Sequence, residues 1–219
     1  MRYYSIGVSD DLKIIGYYPQ LKFKEGYNPS LPEGYYNLPI HHFPDFVPNL
    51  EYELHKDASP VNILPPYPGR FAFIIDEKVK NILEKHCLPP HTFYPTKVFH
   101  NDKVLQYYWF HYIPNDFWEL IDNKNSFAYV YQIKKATFTK IMEIPIISKE
   151  QILNEQKKYT GLTPISLGKL KMSVEFCKYD FYLTGAFNHT IISERLKKAL
   201  EENNVSGYKA KLFDKISFE

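Results

Sequence analysis

Two stretches of the chain carry the same arrangement of apolar and polar positions. In "FIIDEKVKNILEKHCLPPHTFYP" (73–95) an apolar run ends at Ile75. Val79, Ile82, Leu83 and His86 then recur at the three- and four-residue spacing of one helix face. Asp76 stands between them as an N-cap: its carboxylate can accept a free amide of the first turn and suits the positive end of the helix dipole. Pro89 and Pro90 are expected to stop the helix. In "HTIISERLKKALEENNVSGYKAKLF" (189–213) Ile191 and Ile192 end a strand and Ser193 is the cap. Leu196, Ala199, Leu200 and Asn203 repeat the stripe, while Lys197, Lys198, Glu201 and Glu202 face water. Gly207 falls where a left-handed residue closes a helix. Residues 208–213 then alternate large apolar and basic side chains, as a half-buried strand does. Each stretch predicts a strand–helix–strand unit. Neither unit can bury its helix alone, so the two are expected to share a sheet or to pair as lobes.

Further elements follow from the same reading. Strands are predicted at "YYSIGV" (3–8), "FAFII" (71–75), "KVLQYYWFHYI" (103–113) and within 171–185. Residues 117–133 read as strand, turn, strand, the turn at 122–126 being rich in Asn and Asp that bond their own backbone. Residues 148–159 predict a short capped helix with Ile152 and Leu153 apolar. Ten prolines between 17 and 68 rule out long regular elements there. Tyr17, Tyr18, Tyr35, Tyr36, Phe43 and Phe46 lie among them, and a disordered linker lacks such residues. An ordered, irregular arm draped over the body is expected. The fold class is therefore α+β: two similar strand–helix–strand units with mixed or antiparallel sheet and a Pro-rich N-terminal arm. One two-lobed domain covers 1–219, with strand and arm in 1–70, the first unit and aromatic strands in 71–147, and the second unit in 148–219.

Composition narrows the class. Hydrophobic residues make up 44% and charged residues 24%, ordinary for a globular protein. With 19 Tyr and 16 Phe against nine Gly, a packed fold without a Gly-rich phosphate loop is expected. A net charge of +2 gives no basic stripe of the kind nucleic-acid binders show. Cys87 and Cys177 lie far apart without metal spacing; they allow one bridge, and two free thiols in a reducing compartment is the simpler reading. The opening residues lack a signal-peptide core, and no run approaches a membrane span. These features predict a cytoplasmic protein, with no membrane or nucleic-acid partner.

Candidate chemistry is sparse. "HCLPPH" (86–91) offers two His and a Cys but no further zinc ligand nearby, and His86 belongs to the buried stripe. His41 and His42 are adjacent, so on an extended chain they point apart and do not chelate together. No dinucleotide, phosphate-loop, nucleophile-elbow or metalloprotease pattern is present. "YYWFHY" (107–112) has only Lys103 near it, too little charge for a base-stacking groove. No catalytic residue, metal or cofactor is predicted.

The segments that carry the helix and turn signals also carry a likeness. "FIIDEKVKNILEK", "YYWFHYIPNDFWELIDNKNSFAY" and "FYLTGAFNHTIISERLKKALEENNVSGYKAKLF" resemble a bacterial family first described as a domain of unknown function. That family is grouped with the immunity proteins of polymorphic toxin systems and typified by a Myxococcus member. The likeness covers 71–213 and is strongest at the C-terminal unit. The family's I-D-x-x-x-S turn corresponds to Ile121, Asp122 and Ser126, and its helix start to residues 192–200. The long Pro-rich arm departs from the family. The resemblance implies a non-enzymatic protein that binds a cognate toxin, and no catalytic residue. Interfaces of that kind favour aromatic anchors in a polar rim, which makes Tyr35, Tyr36, His41, His42 and Phe46 of the arm the candidate partner-binding residues. The rival expectation is a small-ligand protein or enzyme with titratable groups converging between the lobes.

Overall fold

A computed structural model describes residues 2–39, 41–65, 73–114, 117–159, 161–184, 187 and 189–218. The fold is α+β, with antiparallel and mixed sheets. A central antiparallel sheet joins β1 (Tyr3–Val8), β11 (Phe181–Leu183), β12 (Thr190–Ser193) and β13 (Tyr208–Leu212) in the order β11-β12-β1-β13. A six-stranded sheet runs β2 (Leu21–Phe23), β3 (Glu51–Leu54), β6 (His91–His100), β7 (Lys103–Tyr112), β5 (Phe73–Ile75), β4 (Ile63–Leu64), with β3 parallel to β6. A third sheet orders β14 (Ile216–Phe218), β10 (Ile165–Met172), β8 (Phe127–Lys134) and β9 (Thr137–Pro145). The helices are α1 (Leu12–Ile15), α2 (Glu77–Leu83), α3 (Lys149–Lys158) and α4 (Glu194–Glu202). The sheets cut across the boundary expected at 147: β8 pairs with β10 as well as with β9, and β1 pairs with β12 and β13.

Alternation along the central sheet decides the layering. Successive strand residues point to opposite faces. Phe181, Leu183 and Ile192 enter one core, shared with the six-stranded sheet and with Val79, Ile82, Leu83, Leu196 and Leu200 of α2 and α4. Tyr3, Tyr182 and Ile191 enter a second core, shared with the third sheet and Ile152 of α3. A strand buried on both faces reads as a continuous apolar run, as "FYL" and "TIIS" do.

The two strand–helix–strand units follow one path. In each, the flanking strands are parallel and one antiparallel strand lies between them: β7 between β5 and β6, and β1 between β12 and β13. The source of the middle strand differs, β7 following β6 directly while β1 comes from the start of the chain. The caps stand where the sequence places them. The Val79 amide donates to Asp76 Oδ1 at 3.0 Å, and the Leu196 amide to Ser193 Oγ at 3.1 Å. Two details differ from expectation. The first helix ends at Leu83, well before Pro89, because Lys85 and His86 close tight turns onto the Ile82 and Leu83 carbonyls and the Cys87 amide is drawn to Asp180. The second helix is closed by Asn204 (φ +50), not Gly207. The Val205 amide bonds the Leu200 carbonyl and the Asn204 amide that of Glu201, the paired pattern of a left-handed helix stop. Gly207 (φ +89) serves a close approach instead: a Cβ there would lie 2.2 Å from the Ile63 carbonyl oxygen.

The Pro-rich segment contributes β2, β3 and β4, and its irregular part between β2 and β3 packs on the six-stranded sheet. Tyr35 sits against Phe23, the Phe43 ring meets His111 edge-on at 5.3 Å, and the Tyr107 hydroxyl donates to the Val61 carbonyl. Trp118–Leu120 form a 3-10 turn, not the predicted strand; of this stretch Ile121 bridges, to Met172. Within 171–185 a second 3-10 turn, Val174–Lys178, separates two strands. Phe71, Ala72 and Gly185 lie outside the described residues.

β8 and β9 are joined by Lys135 (φ +48) and Ala136 (φ +60), a left-handed pair that suits Asn or Gly and penalises other residues. Ala136→Gly is expected to raise the unfolding free energy by about 0.5–1 kcal/mol, the left-handed strain relieved less the entropy of a more flexible unfolded chain. Urea unfolding reads this, and a loss of stability would contradict the turn geometry.

Candidate partner-binding surface

The strongest polar cluster joins the two units. Asp180 is 1% exposed. Its carboxylate accepts the Ser193 hydroxyl at 2.5 Å, Arg195 Nε at 3.0 Å and the Cys87 amide at 2.8 Å, and pairs with Arg195 Nη2. Burial alone would raise its pKa, yet the hydrogen bonds from Arg195, Ser193 and Cys87 hold it below the usual value. The Ser193 hydroxyl that bonds Asp180 also caps α4, so the cluster fixes the loop after α2 to the start of α4. Every group in it is committed to structure. His86 Nδ1 lies 2.8 Å from the Ile82 carbonyl and His91 Nδ1 2.8 Å from that of Pro89. Cys87 and Cys177 are free thiols. Among the described residues no group of three His, Cys, Asp or Glu is placed to hold a metal.

The five arm residues are divided. Tyr35 is 3% exposed and belongs to the core. It opens a 3-10 turn, where neighbouring side chains point apart, and its amide is held by the Tyr27 hydroxyl at 3.0 Å. Tyr36, on the same turn, is 51% exposed. His41 and His42 are exposed, whereas Phe46 is half-buried against the core. Tyr35 is thus unavailable to a partner. The I-D-x-x-x-S turn is likewise a staple: the Asp122 amide donates to the Lys171 carbonyl, and the Lys171 amide donates to Ser126 Oγ at 2.9 Å.

A different surface stands out on the third sheet. Along β8, Ala128 and Val130 are fully buried in the core. The alternate positions Phe127, Tyr129, Tyr131 and Ile133 therefore point away from it. An antiparallel sheet with one wet face normally carries polar residues there; this strand carries three rings and an isoleucine. Register extends the row: Ile133 faces Phe138 on β9, and its amide bonds the Leu162 carbonyl. Phe138 is 65% and Leu162 67% exposed. The rings pack on one another, Phe127 to Tyr129 at 5.1 Å and Tyr129 to Tyr131 at 6.1 Å. Lys140 Nζ sits 3.5 Å from the Tyr129 centroid and bonds Glu143. Gly168 makes room for the first ring, since a Cβ there would meet Phe127 at 2.4 Å. β9 itself is the sheet edge and is exposed along most of its length. Chemically this is an apolar strip with a basic margin, suited to contact and not to bond-making. In the sequence 127–133 is legible only as a strand; apolar residues at nearly every position are the sign that both its faces want cover.

No protein-family model matches the chain, and no curated protein matches it. No helix among the described residues is long and apolar enough to cross a membrane.

Proposed function

We propose that the chain is a non-enzymatic cytoplasmic binding protein that neutralises a cognate toxin by direct contact, as its resemblance to immunity proteins implies. The observation that supports this reading is the outward, half-buried ring-bearing face of β8, continued by the exposed Phe138 and Leu162. Contiguous exposed apolar surface on a soluble fold marks an interaction site, and aromatic anchors inside a polar margin are the usual energetic centre of one. The sheet face is the principal surface, and the outward side of the arm, with Tyr36, His41 and His42, is a secondary one.

The test is co-purification with the product of the adjacent gene, followed by calorimetric titration. Tyr131→Ser and Phe138→Ser, being on the water side of the sheet, are expected to leave folding intact and to weaken binding by about 2 kcal/mol or more. Unchanged affinity in both would remove this face from the interface. Turnover of a small substrate, abolished by one His or Cys substitution, would replace the binding reading with an enzymatic one.

A further inference from the structure

The charge around this face identifies the kind of surface that covers it. Between residues 122 and 172 the chain carries nine Lys and four Asp or Glu, a net +5, while the whole chain is only +2. The rest of the chain is therefore net −3. Lys149, Lys157 and Lys158 stand on α3, which packs on the opposite, core face of the sheet; outside that helix six Lys and two Asp or Glu remain, a net +4. The two carboxylates nearest the strip are already committed. Glu143 pairs with Lys140 and Asp122 with Lys171. Lys124, Lys134, Lys135 and Lys169 have no ion-pair partner among the described residues. Lys124, Lys135 and Lys169 border the strip, while Lys134 takes the alternate, core-side position at the end of β8. Lys134 and Lys135 lie at the β8–β9 turn, Lys124 in the loop before β8, and Lys169 opposite Phe127 on β10.

Building on the binding reading above, we propose that the ring-bearing face of β8 is the docking site for an acidic protein segment. Its apolar side chains would cover Tyr131, Ile133, Phe138 and Leu162, and its carboxylates would meet the unpaired lysines. Charge complementarity of this kind steers encounter and suppresses wrong partners, while the apolar centre holds the complex. A nucleic acid fits less well. Base-stacking surfaces present ring faces to the incoming base. Here the planes of Phe127 and Tyr129 cross at 55° and those of Tyr129 and Tyr131 at 84°, so they do not lie flat together on the sheet. Lys140 also occupies a face of Tyr129.

The experiment is a selection from a displayed library of random peptides against the intact chain, with a labelled oligothymidylate and phosphatidylserine vesicles as parallel probes. Acidic peptides with interspersed apolar residues should be enriched, and a synthetic copy should bind with affinity that falls as salt rises. Lys135→Glu with Lys169→Glu should slow its association by about tenfold or more with little change in dissociation. Tyr131→Ser should instead speed dissociation, weakening binding by about 30-fold. Circular dichroism of each variant checks the fold. If the enriched peptides are neutral or basic yet still lost in Tyr131→Ser, the face binds protein but the acidic assignment is overturned. If no peptide depends on this face, the binding reading of the face falls as well. Capture of the oligonucleotide or the vesicles in place of peptides also overturns the proposal.

Discussion

Replacing Arg195 with Ala lowers the unfolding free energy by about 1–3 kcal/mol, the cost of leaving a buried acceptor short of donors, since the exposed guanidinium keeps the pair below the range of a fully buried one. The two partners are unequal. The Asp180 side chain is 1% exposed and that of Arg195 62%. Losing the guanidinium strands a buried carboxylate, whereas Asp180→Asn leaves Arg195 free to turn to water and keeps an oxygen for the Ser193 hydroxyl, so it should cost less. The pH dependence follows from the depressed pKa of Asp180. Its contribution is present above the unfolded-state pKa of an aspartate and is lost as pH falls through the lower folded value. The gap between wild type and Arg195→Ala should therefore close on acidification. Denaturant unfolding at neutral and acidic pH measures both effects, and a gap that widens with acid would refute the assignment.

Phe181→Ala should cost about 3–5 kcal/mol, as other large-to-small changes in a dense aromatic core do. Phe181 is 2% exposed. It reaches from the central sheet to the six-stranded one, its ring 5.1 Å from Phe110, 4.9 Å from Tyr112 and 6.3 Å from Phe73. Most contacts of this ring cross between sheets, so truncation opens a void that local repacking cannot fill. A cost below about 1 kcal/mol in urea unfolding would mean that the sheets are held together elsewhere.

What could be read from the sequence was whatever depends on neighbours along the chain. Asp76, Ser148 and Ser193 all cap helices, because a cap needs only its own side chain and an amide three residues on. β1 and β7 were equally plain. A strand closing the first unit is expected from the sequence, but the ten-residue length of β6 is hidden by its one proline. Pro95 sits in the middle of a ten-residue strand, and is tolerated because β3 pairs with β6 only at Lys97–Phe99, leaving one edge of the strand unpaired at Pro95. β9 was hidden by its turn, since Lys135 and Ala136 carry none of the usual hairpin signal. Gly207 stands where a glycine most often ends a helix, yet its conformation answers to Ile63, far away in sequence.

The candidate surface was the least legible part. Crowded aromatics in the arm look like anchors, and the direction in which Tyr35 points depends on a 3-10 turn and on the sheet beneath it. "FAYVYQI" reads as a strand buried on both sides. Only the tertiary arrangement shows that its Ala128 and Val130 face is fully covered while its ring-bearing face is only half-buried.

Hydrogen exchange of the chain, alone and bound to the product of the adjacent gene, tests the central claim most directly. The structure predicts new protection along β8 and β9, 127–145, and in the neighbouring residues around Leu162, with the arm little changed. Protection confined to the arm around Tyr36, His41 and His42, with 127–145 exchanging as in the free protein, would contradict it.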